Sequence, residues 1–123
     1  MQKNDIKTMP LPDGFLDTEV RCGYTVTYKQ KKVWAVELDL LSELLKVCKK
    51  HDIRVIAYAG TILGAIRHKG FIPWDDDFDI MLKLDDYNKF IKACQEDLDS
   101  KKYFVQTLET DPNYYLSFGK IRN

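Results

Sequence analysis

The chain has 123 residues, of which 45% are hydrophobic and 31% are charged, so it is long enough to build one compact domain with its own core. Nineteen basic and nineteen acidic residues cancel, which speaks against the broad basic surface of a nucleic-acid-binding protein. No apolar run approaches the roughly 18 residues of a membrane-spanning helix. The first residues also lack the apolar core of a secretory signal. We therefore predict a cytoplasmic protein with no nucleic-acid partner and no transmembrane segment, and we leave contact with the inner face of the membrane open.

The three cysteines are spaced too far apart for a zinc-binding knuckle. Cys48 and Cys94 fall in helical, partly apolar patterns, where a cysteine packs as a small hydrophobic side chain. Because an odd number of cysteines leaves at least one thiol unpaired, the composition favours a reducing compartment.

Two regions are expected along the chain. Residues 1–21 are polar and contain two prolines and a glycine, which predicts a flexible leader. Residues 22–123 form the predicted domain, with a short extended piece near residues 24–28. The sequence contains no internal repeat and no low-complexity segment.

The first half of the domain alternates between helix and strand patterns. Residues 33–50 carry apolar side chains at steps of three and four, which predicts an amphipathic helix with its lysines at the negative end of the helix dipole. The apolar side chains expected to face the core are Trp34, Leu38, Leu41, Leu45 and Cys48. Residues 53–60 are rich in β-branched and apolar side chains, which predicts a buried strand. Residues 61–68 then form a short helix that ends at Lys69-Gly70.

The second half is predicted to contain a strand over 77–83, a helix over 85–98 and two further strands. Asp85 is the expected N-cap of that helix. The last two strands, 103–108 and 115–121, are joined by a turn at Asp111-Pro112-Asn113. These elements predict a mixed α/β domain with a small central sheet flanked by helices.

The most informative stretch is GTILGAIRHKGFIPWDDDFDI, residues 60–80, which contains four aspartates within five residues. If residues 71–82 are extended, side chains alternate between two faces, so Asp75, Asp77 and Asp79 share one face and Asp76 points to the other. Carboxylates on one face repel one another unless a positive charge lies between them. Mg²⁺ suits this position, because it takes oxygen ligands at about 2.1 Å and needs only one or two carboxylates beside substrate oxygens.

Asp77 and Asp79 are therefore the predicted metal-binding pair, an arrangement that phosphoryl transfer uses to neutralise phosphate charge. A solvated acidic turn is the alternative, although the apolar neighbours of the aspartates limit their access to bulk solvent. A calcium-binding loop is excluded, because its sixth position should be glycine and is Ile80, and its twelfth should be glutamate and is Asp86.

Five further residues are candidates for substrate binding. Gly60 and Thr61 stand where a strand turns into a helix, and free N–H groups there favour phosphate; the alternative is a simple glycine turn with the threonine as N-cap. Arg67 either contacts an anionic substrate or forms a buried pair with the aspartates. Lys120 and Arg122 alternate on the last strand and either face the phosphates or lie on a solvated edge.

The same stretch closely resembles the signature of the LicD family, the lipopolysaccharide choline-phosphotransferases related to fukutin-type enzymes, and the resemblance extends over most of residues 22–123. It implies a nucleotidyltransferase fold of the DNA polymerase β type, with Mg²⁺ or Mn²⁺ as cofactor. It also implies transfer of a phospho-alcohol, typically phosphocholine from CDP-choline or a related CDP-alcohol, to a hydroxyl of a cell-surface glycan or its lipid-linked precursor.

By position in the motif, Gly60 and Thr61 match the family's glycine-plus-hydroxyl pair, Asp77 and Asp79 match its metal-binding pair, and Asp75 matches a supporting acid. The resemblance also implies a third carboxylate on a later strand, and no matching segment precedes Asn123. We expect that the sequence is the N-terminal part of a longer domain and stops before that strand.

Two other functions remain open from the sequence. The Asp-x-Asp pair also suits a glycosyltransferase that holds the metal of a nucleotide-sugar, although such enzymes usually have a longer domain before the pair. A non-catalytic module that binds metal or nucleotide is the third candidate.

Overall fold

A computed structural model describes residues 10–123, and residues 1–9 of the predicted leader lie outside the described part. Within residues 10–123, three helices and six short strands form a mixed α/β arrangement, as predicted. In chain order these are β1 (Glu19–Arg21), β2 (Tyr24–Val26), α1 (Tyr28–Lys50), β3 (Ile56–Tyr58), α2 (Gly60–Arg67), β4 (Asp79–Met81), α3 (Leu84–Asp97), β5 (Phe104–Gln106) and β6 (Lys120–Arg122).

The prediction of one central sheet is wrong. The strands of residues 10–123 form three separate two-stranded antiparallel sheets, which pair β1 with β2, β3 with β4 and β5 with β6. Alternation of side chains indicates where a strand lies, but the choice of its partner depends on contacts between distant residues. The predicted boundary between leader and domain, after residue 21, stays a prediction. Strand β1 lies on the leader side of this boundary.

The described chain divides into two compact units. The first contains the residues up to Ser42 together with Val55–Met81, and the second contains Glu43–Arg54 together with Leu82–Asn123. Buried side chains of the first unit include Val26, Trp34, Ala35, Leu40 and Pro73. Those of the second unit include Leu44, Val47, Cys48, Phe90, Cys94, Leu98, Tyr103 and Val105.

Helix α1 begins at Tyr28, five residues earlier than the pattern predicted. The helix begins there because Thr27 caps its N-terminus: the Thr27 hydroxyl accepts a hydrogen bond from the Gln30 N–H at 3.2 Å. The spacing Thr-x-x-Gln is a known start signal, so the sequence did contain this information. The predicted core stripe is only partly right, since Trp34 and Cys48 are buried and Leu45 is exposed.

Strand β3 is shorter than predicted, and the prediction that it is buried is wrong. All three of its residues are exposed, including Ile56 and Tyr58. In the described part of the chain β3 pairs only with β4, and a two-stranded sheet leaves its side chains little cover.

Helices α2 and α3 and strands β4 and β5 agree with the predicted bounds within two residues at each end, whereas β6 begins five residues later than predicted and β1 was not predicted. Asp85 is not the N-cap of α3, because that position is Lys83 and Asp85 lies in the first turn. The left-handed residue after α2 is Lys69, with φ 56°, rather than Gly70. The turn at residues 111–113 is confirmed by a hydrogen bond from the Asn113 N–H to the Asp111 carboxylate at 3.0 Å.

Candidate functional site

The candidate site is built on the β3–α2–β4 segment of the first unit. In the antiparallel register Tyr58, the last residue of β3, lies opposite Asp79, the first residue of β4. Ala59 then turns the chain into α2 with φ 50° and ψ −129°, a conformation that costs a non-glycine residue on the order of 1–3 kcal/mol. The turn before Gly60 is therefore held beside the start of the aspartate-bearing strand.

Gly60 is the first residue of α2, and its lack of a side chain leaves room for a carboxylate. A Cβ atom at Gly60 would lie 3.0 Å from Oδ2 of Asp75 and 3.7 Å from Cδ1 of Ile72. The structure therefore brings Gly60 and Asp75 together at the N-terminus of a helix, where the dipole favours negative charge.

Thr61 ties α2 to β4. Its hydroxyl accepts a hydrogen bond from the Asp79 N–H at 2.6 Å. The alternative that Thr61 is the N-cap of α2 is wrong, because the N-cap is Ala59 and no side chain caps the helix. A hydroxyl that accepts one bond still has its own proton to donate, so Thr61 keeps the donor that phosphate binding requires.

The aspartates do not follow the predicted alternation. Residues 75–78 precede β4 and are not part of a strand, so Asp76 is not turned away from its neighbours. Asp75, Asp76 and Asp77 each offer a carboxylate oxygen, and these oxygens lie within 4.8 Å of one another. Strand geometry begins only at Asp79, which explains why a two-residue period fails before it.

Asp77 and Asp79 lie within electrostatic range of each other. Partial burial and then the charge of Asp77 raise the pKa of Asp79 above its ordinary value. Their joint role in binding a metal stays a prediction.

Helix α1 holds the acidic segment in place through backbone carbonyls. The Gln30 amide donates to the Pro73 carbonyl at 2.6 Å, and the Trp34 indole N–H donates to the Asp75 carbonyl at 2.8 Å. The Trp34 ring also stacks on Phe71, with centroids 5.0 Å apart and planes inclined by 11°. These contacts fix the backbone from which the aspartate side chains project.

Glu37 is a site residue that the sequence analysis missed. Its carboxylate is half buried, and its Oε2 atom has no hydrogen-bond partner and almost no solvent access. Burial, followed by the charges of Asp77, Asp76 and Asp75, raises the pKa of Glu37 to about 8. The available signal was helical spacing, because residues 30, 34 and 37 lie on one face of a helix.

The predicted cationic residues lie in different places. Arg67 is exposed at the end of α2, and it forms no ion pair with any residue in the 10–123 range, so the alternative of a buried pair is wrong. Lys120 and Arg122 belong to β6 of the second unit. The Lys120 ammonium lies 5.9 Å from the centre of the Phe118 ring, and Arg122 Nε donates to the Gln106 side chain at 2.7 Å. Their contact with a substrate stays a prediction.

Solvent access to the acids is greater than their apolar neighbours suggested. Pro73 is buried, whereas Trp74 is 58% exposed, and Asp76, Asp77 and Asp79 are exposed as well. Exposure alone therefore does not distinguish this segment from a solvated acidic turn. The choice between a metal site and a solvated turn therefore stays a prediction.

The donor set fits a hard divalent cation. Two ligands of one Mg²⁺ lie at most about 4.2 Å apart, since each oxygen is about 2.1 Å from the ion. The three clustered aspartates, whose oxygens lie within 4.8 Å of one another, come close to this spacing. Oxygen donors of this type suit Mg²⁺ and Mn²⁺ and are a poor match for metals that prefer sulfur or nitrogen.

A separate cavity of about 160 Å³ lies in the second unit, between α3 and residues 107–109 and 116–118. None of the predicted site residues lines it. None of the helices in residues 10–123 is both long and apolar enough to cross a membrane.

Comparison with known proteins extends this description. Residues 52–119, more than half of the chain, match the family described as LicD/FKTN/FKRP, nucleotidyltransferase domain. The chain is 44% identical over 72 residues to the lipopolysaccharide cholinephosphotransferase LicD of Haemophilus influenzae, a match that covers 58% of this chain and 27% of that protein. It is 40% identical over 47 residues to an uncharacterised protein of Rickettsia prowazekii, covering 38% of this chain and 18% of that one.

A second uncharacterised protein, from Rickettsia typhi, is also 40% identical over 47 residues, with 38% of this chain and 15% of that protein covered. The matched segment thus spans less than a third of the length of each of these relatives. No solved structure matches the chain. The family match contains Gly60, Thr61 and all four clustered aspartates, and the chain therefore belongs to the LicD/FKTN/FKRP family, within its nucleotidyltransferase domain.

Proposed function

We propose that the chain is part of a metal-dependent phosphotransferase with a nucleotidyltransferase fold. It moves a phospho-alcohol, phosphocholine or a similar group, from a CDP-activated donor to a hydroxyl of a cell-surface glycan or its lipid-linked precursor. The relative from Haemophilus influenzae is named as a lipopolysaccharide cholinephosphotransferase, which supports this choice of reaction.

The proposal rests on one observation, which is that Gly60 and Thr61 at the start of α2 lie next to the aspartates. Asp75 approaches the open face of Gly60, and the Thr61 hydroxyl bonds to the backbone of Asp79. A helix N-terminus that can hold phosphate thus stands beside carboxylates that can hold a cation. A nucleotide diphosphate needs both, because its charge must be neutralised and its phosphorus must be oriented for attack.

Each residue has a defined role in the proposed reaction. Asp77 and Asp79 hold the ion, with Asp75 in support, while the backbone of Gly60 and the Thr61 hydroxyl bind a phosphate oxygen. Arg67 is exposed and available to an anionic substrate, and Lys120 and Arg122 are further candidates for phosphate contacts.

In the chemical step the acceptor hydroxyl forms a new bond to the phosphorus that carries the alcohol. The bond from that phosphorus to CMP breaks, CMP leaves, and the hydroxyl proton passes to solvent. A bound Mg²⁺ or Mn²⁺ supplies charge neutralisation on the diphosphate. The third carboxylate implied by the resemblance does not follow Asp79 in a matching segment of this sequence.

The proposed acceptor also suggests where the protein acts. A lipid-linked glycan lies at the membrane surface, so we propose a cytoplasmic protein that contacts the inner face of the membrane peripherally.

Transfer can be tested by incubating the chain with Mg²⁺, CDP-choline and a glycan acceptor and measuring CMP release. We expect Asp77→Asn and Asp79→Asn to lower turnover by at least about a hundredfold, since each removes a metal ligand without changing side-chain size. Glu96→Gln on the exposed side of α3 is the control and should keep full activity.

Turnover that survives in either aspartate variant would remove the proposed metal role. Transfer from a nucleotide-sugar alone would favour a glycosyltransferase, and binding of CDP-choline without CMP release would favour a non-catalytic module.

A further inference from the structure

One face of the β3–β4 sheet carries large apolar side chains that lead up to an acid. Tyr58 of β3 lies opposite Asp79 of β4, and two residues away on each strand Ile56 lies opposite Met81. Residues two apart on a strand share one face, as do residues directly opposite each other on paired strands. The three apolar side chains of this face are between 38% and 54% exposed, and Asp79 is exposed as well. An exposed apolar surface therefore ends at one of the two proposed metal ligands.

Tyr58 lies close to both parts of the proposed site. Directly opposed side chains of an antiparallel pair have Cβ atoms about 4.5–5.5 Å apart, which places the Tyr58 side chain beside that of Asp79. Along the chain, Gly60 is two residues farther on, and two residues span at most about 7 Å. The hydrogen bond from the Asp79 N–H to the Thr61 hydroxyl joins the same two elements. A ligand that binds at Gly60 and Asp79 therefore comes within reach of Tyr58.

The ring of Tyr58 is open to such a ligand. It is the most exposed of the three apolar side chains on this face, and none of the ring–ring contacts in residues 10–123 involves it. Contiguous apolar surface rimmed by polar groups commonly marks a binding site. An exposed aromatic ring binds the flat face of a nucleotide base by stacking, as in proteins that bind single-stranded nucleic acids.

A nucleotide presents its chemical groups in the same order as this surface. Its base is flat and aromatic, its phosphates are negative, and the sugar separates the two. On the protein, the apolar ring of Tyr58 is followed by Asp79, which can hold a cation, and by the start of α2, which can hold phosphate. A purely apolar partner would instead bury the Asp79 carboxylate without compensation.

We propose that Tyr58 is a substrate-binding residue: its ring stacks on the base of the CDP-activated donor while the phosphates lie at Gly60 and Asp79. This inference rests on the proposed function and adds the part of the donor that β3 recognises. Stacking contributes affinity and orientation, and it does not by itself select cytosine, because every base has a flat π face. The ring is required for this role and the Tyr58 hydroxyl is not.

Nucleotide affinity of the full chain tests the role of the ring. CMP is titrated by calorimetry in the presence of Mg²⁺ into the wild type, Tyr58→Leu, Tyr58→Phe and Tyr115→Leu. We expect Tyr58→Leu to bind CMP at least about fivefold more weakly, because stacking of the base on the ring is lost. Tyr58→Phe keeps the ring and should bind CMP as the wild type does. Tyr115→Leu, the same change at an exposed tyrosine of the second unit, should also bind CMP normally.

Inorganic pyrophosphate separates stacking from damage to the metal and phosphate site. It carries no base, so with Mg²⁺ it should bind equally well to the wild type and to Tyr58→Leu. Turnover with CDP-choline gives a second readout. Tyr58→Leu should raise KM and leave kcat unchanged, because stacking on the base is the same in the ground state and the transition state.

Wild-type CMP affinity in Tyr58→Leu would overturn the inference, and so would an equal loss of affinity for CMP and pyrophosphate or an equal loss of CMP affinity in Tyr115→Leu. A dimer that dissociates in Tyr58→Leu while CMP affinity is unchanged would assign this face to a second copy of the chain. A wild type that binds neither ligand would refute the inference together with the phosphate site of the proposed function. A loss of CMP affinity confined to Tyr58→Leu, combined with no CMP release from CDP-choline in the wild type, would refute the proposed transfer and leave the nucleotide-binding role of Tyr58 standing.

Discussion

At the scale of single residues, two glycines of the matched stretch have different physical reasons for being glycine. Gly60 leaves space for the flexible end of Asp75, which can move aside. Gly64 is buried inside α2, and a Cβ atom there would lie 2.4 Å from the Gly70 carbonyl and 3.1 Å from the Ile72 N atom. Backbone atoms cannot move aside as a side chain does, so Gly64 is the more restrictive of the two positions.

Gly64→Ala tests this contact. Alanine normally stabilises a helix interior by about 1 kcal/mol relative to glycine, but here the backbone clash should dominate. We expect the free energy of unfolding to fall by about 1–3 kcal/mol, measured by urea denaturation. Gly70→Ala is the matched control, because a Cβ there meets no atom within 4 Å, and a larger loss in the control would contradict this explanation.

At the scale of elements, the ends of α1 and α3 in the second unit meet through an ion-pair cluster. His51 Nε2 and Asp97 Oδ2 are 2.7 Å apart, and Lys50 Nζ lies 3.2 Å from Asp97 Oδ1. Asp97 stands at the negative end of the α3 dipole, which is unfavourable for a carboxylate. The hydrogen bond to His51, followed by that to Lys50, holds the pKa of Asp97 below its usual value.

This cluster predicts an acid-dependent loss of stability. Because the folded-state pKa of Asp97 is lowered, its contribution is present above the unfolded value of about 3.9 and is lost as the pH falls through the folded value. Asp97→Asn should lower the thermal midpoint at pH 7, and the difference from the wild type should shrink below about pH 4. Glu96→Gln should show no such dependence, and a constant difference for Asp97→Asn at every pH would contradict the prediction.

At the scale of the whole molecule, the three cysteines differ in their exposure to solvent. Cys22 is exposed, whereas Cys48 and Cys94 are buried, as the helical pattern predicted for the latter two. Burial raises the pKa of Cys48, and burial together with Cys48 and Asp97 raises the pKa of Cys94 to about 12. Thiolate, which is the reactive form, is therefore scarce at both buried positions.

Thiol labelling at pH 8 should distinguish the exposed cysteine from the two buried ones. We expect one thiol per folded chain to react with an aromatic disulfide reagent and three to react in urea. Cys22→Ser should leave no reactive thiol in the folded chain and two in urea. Rapid labelling of a second thiol without denaturant would show that the core around Cys94 is open.

Much of the candidate site is local in sequence and could be predicted for that reason. Gly60, Thr61 and the four aspartates lie within 20 residues of one another, and residue type and spacing were enough to associate them with phosphate and metal. The Thr27 cap could also have been predicted, since Thr-x-x-Gln is a local sequence signal. It was missed because the start of the helix was placed from the spacing of the apolar side chains alone.

The sequence by itself determined the kinds of elements, the family and the chemistry that the acidic stretch can support, because these follow from residue types at short spacing. Tertiary structure alone decided which strands pair, that Asp76 joins Asp75 and Asp77, and that the charges of these aspartates act on Glu37 of α1. The reason is that helical and strand periods describe one element at a time. Which faces meet depends on packing between residues far apart in the chain, as when Trp34 of α1 binds the backbone of Asp75.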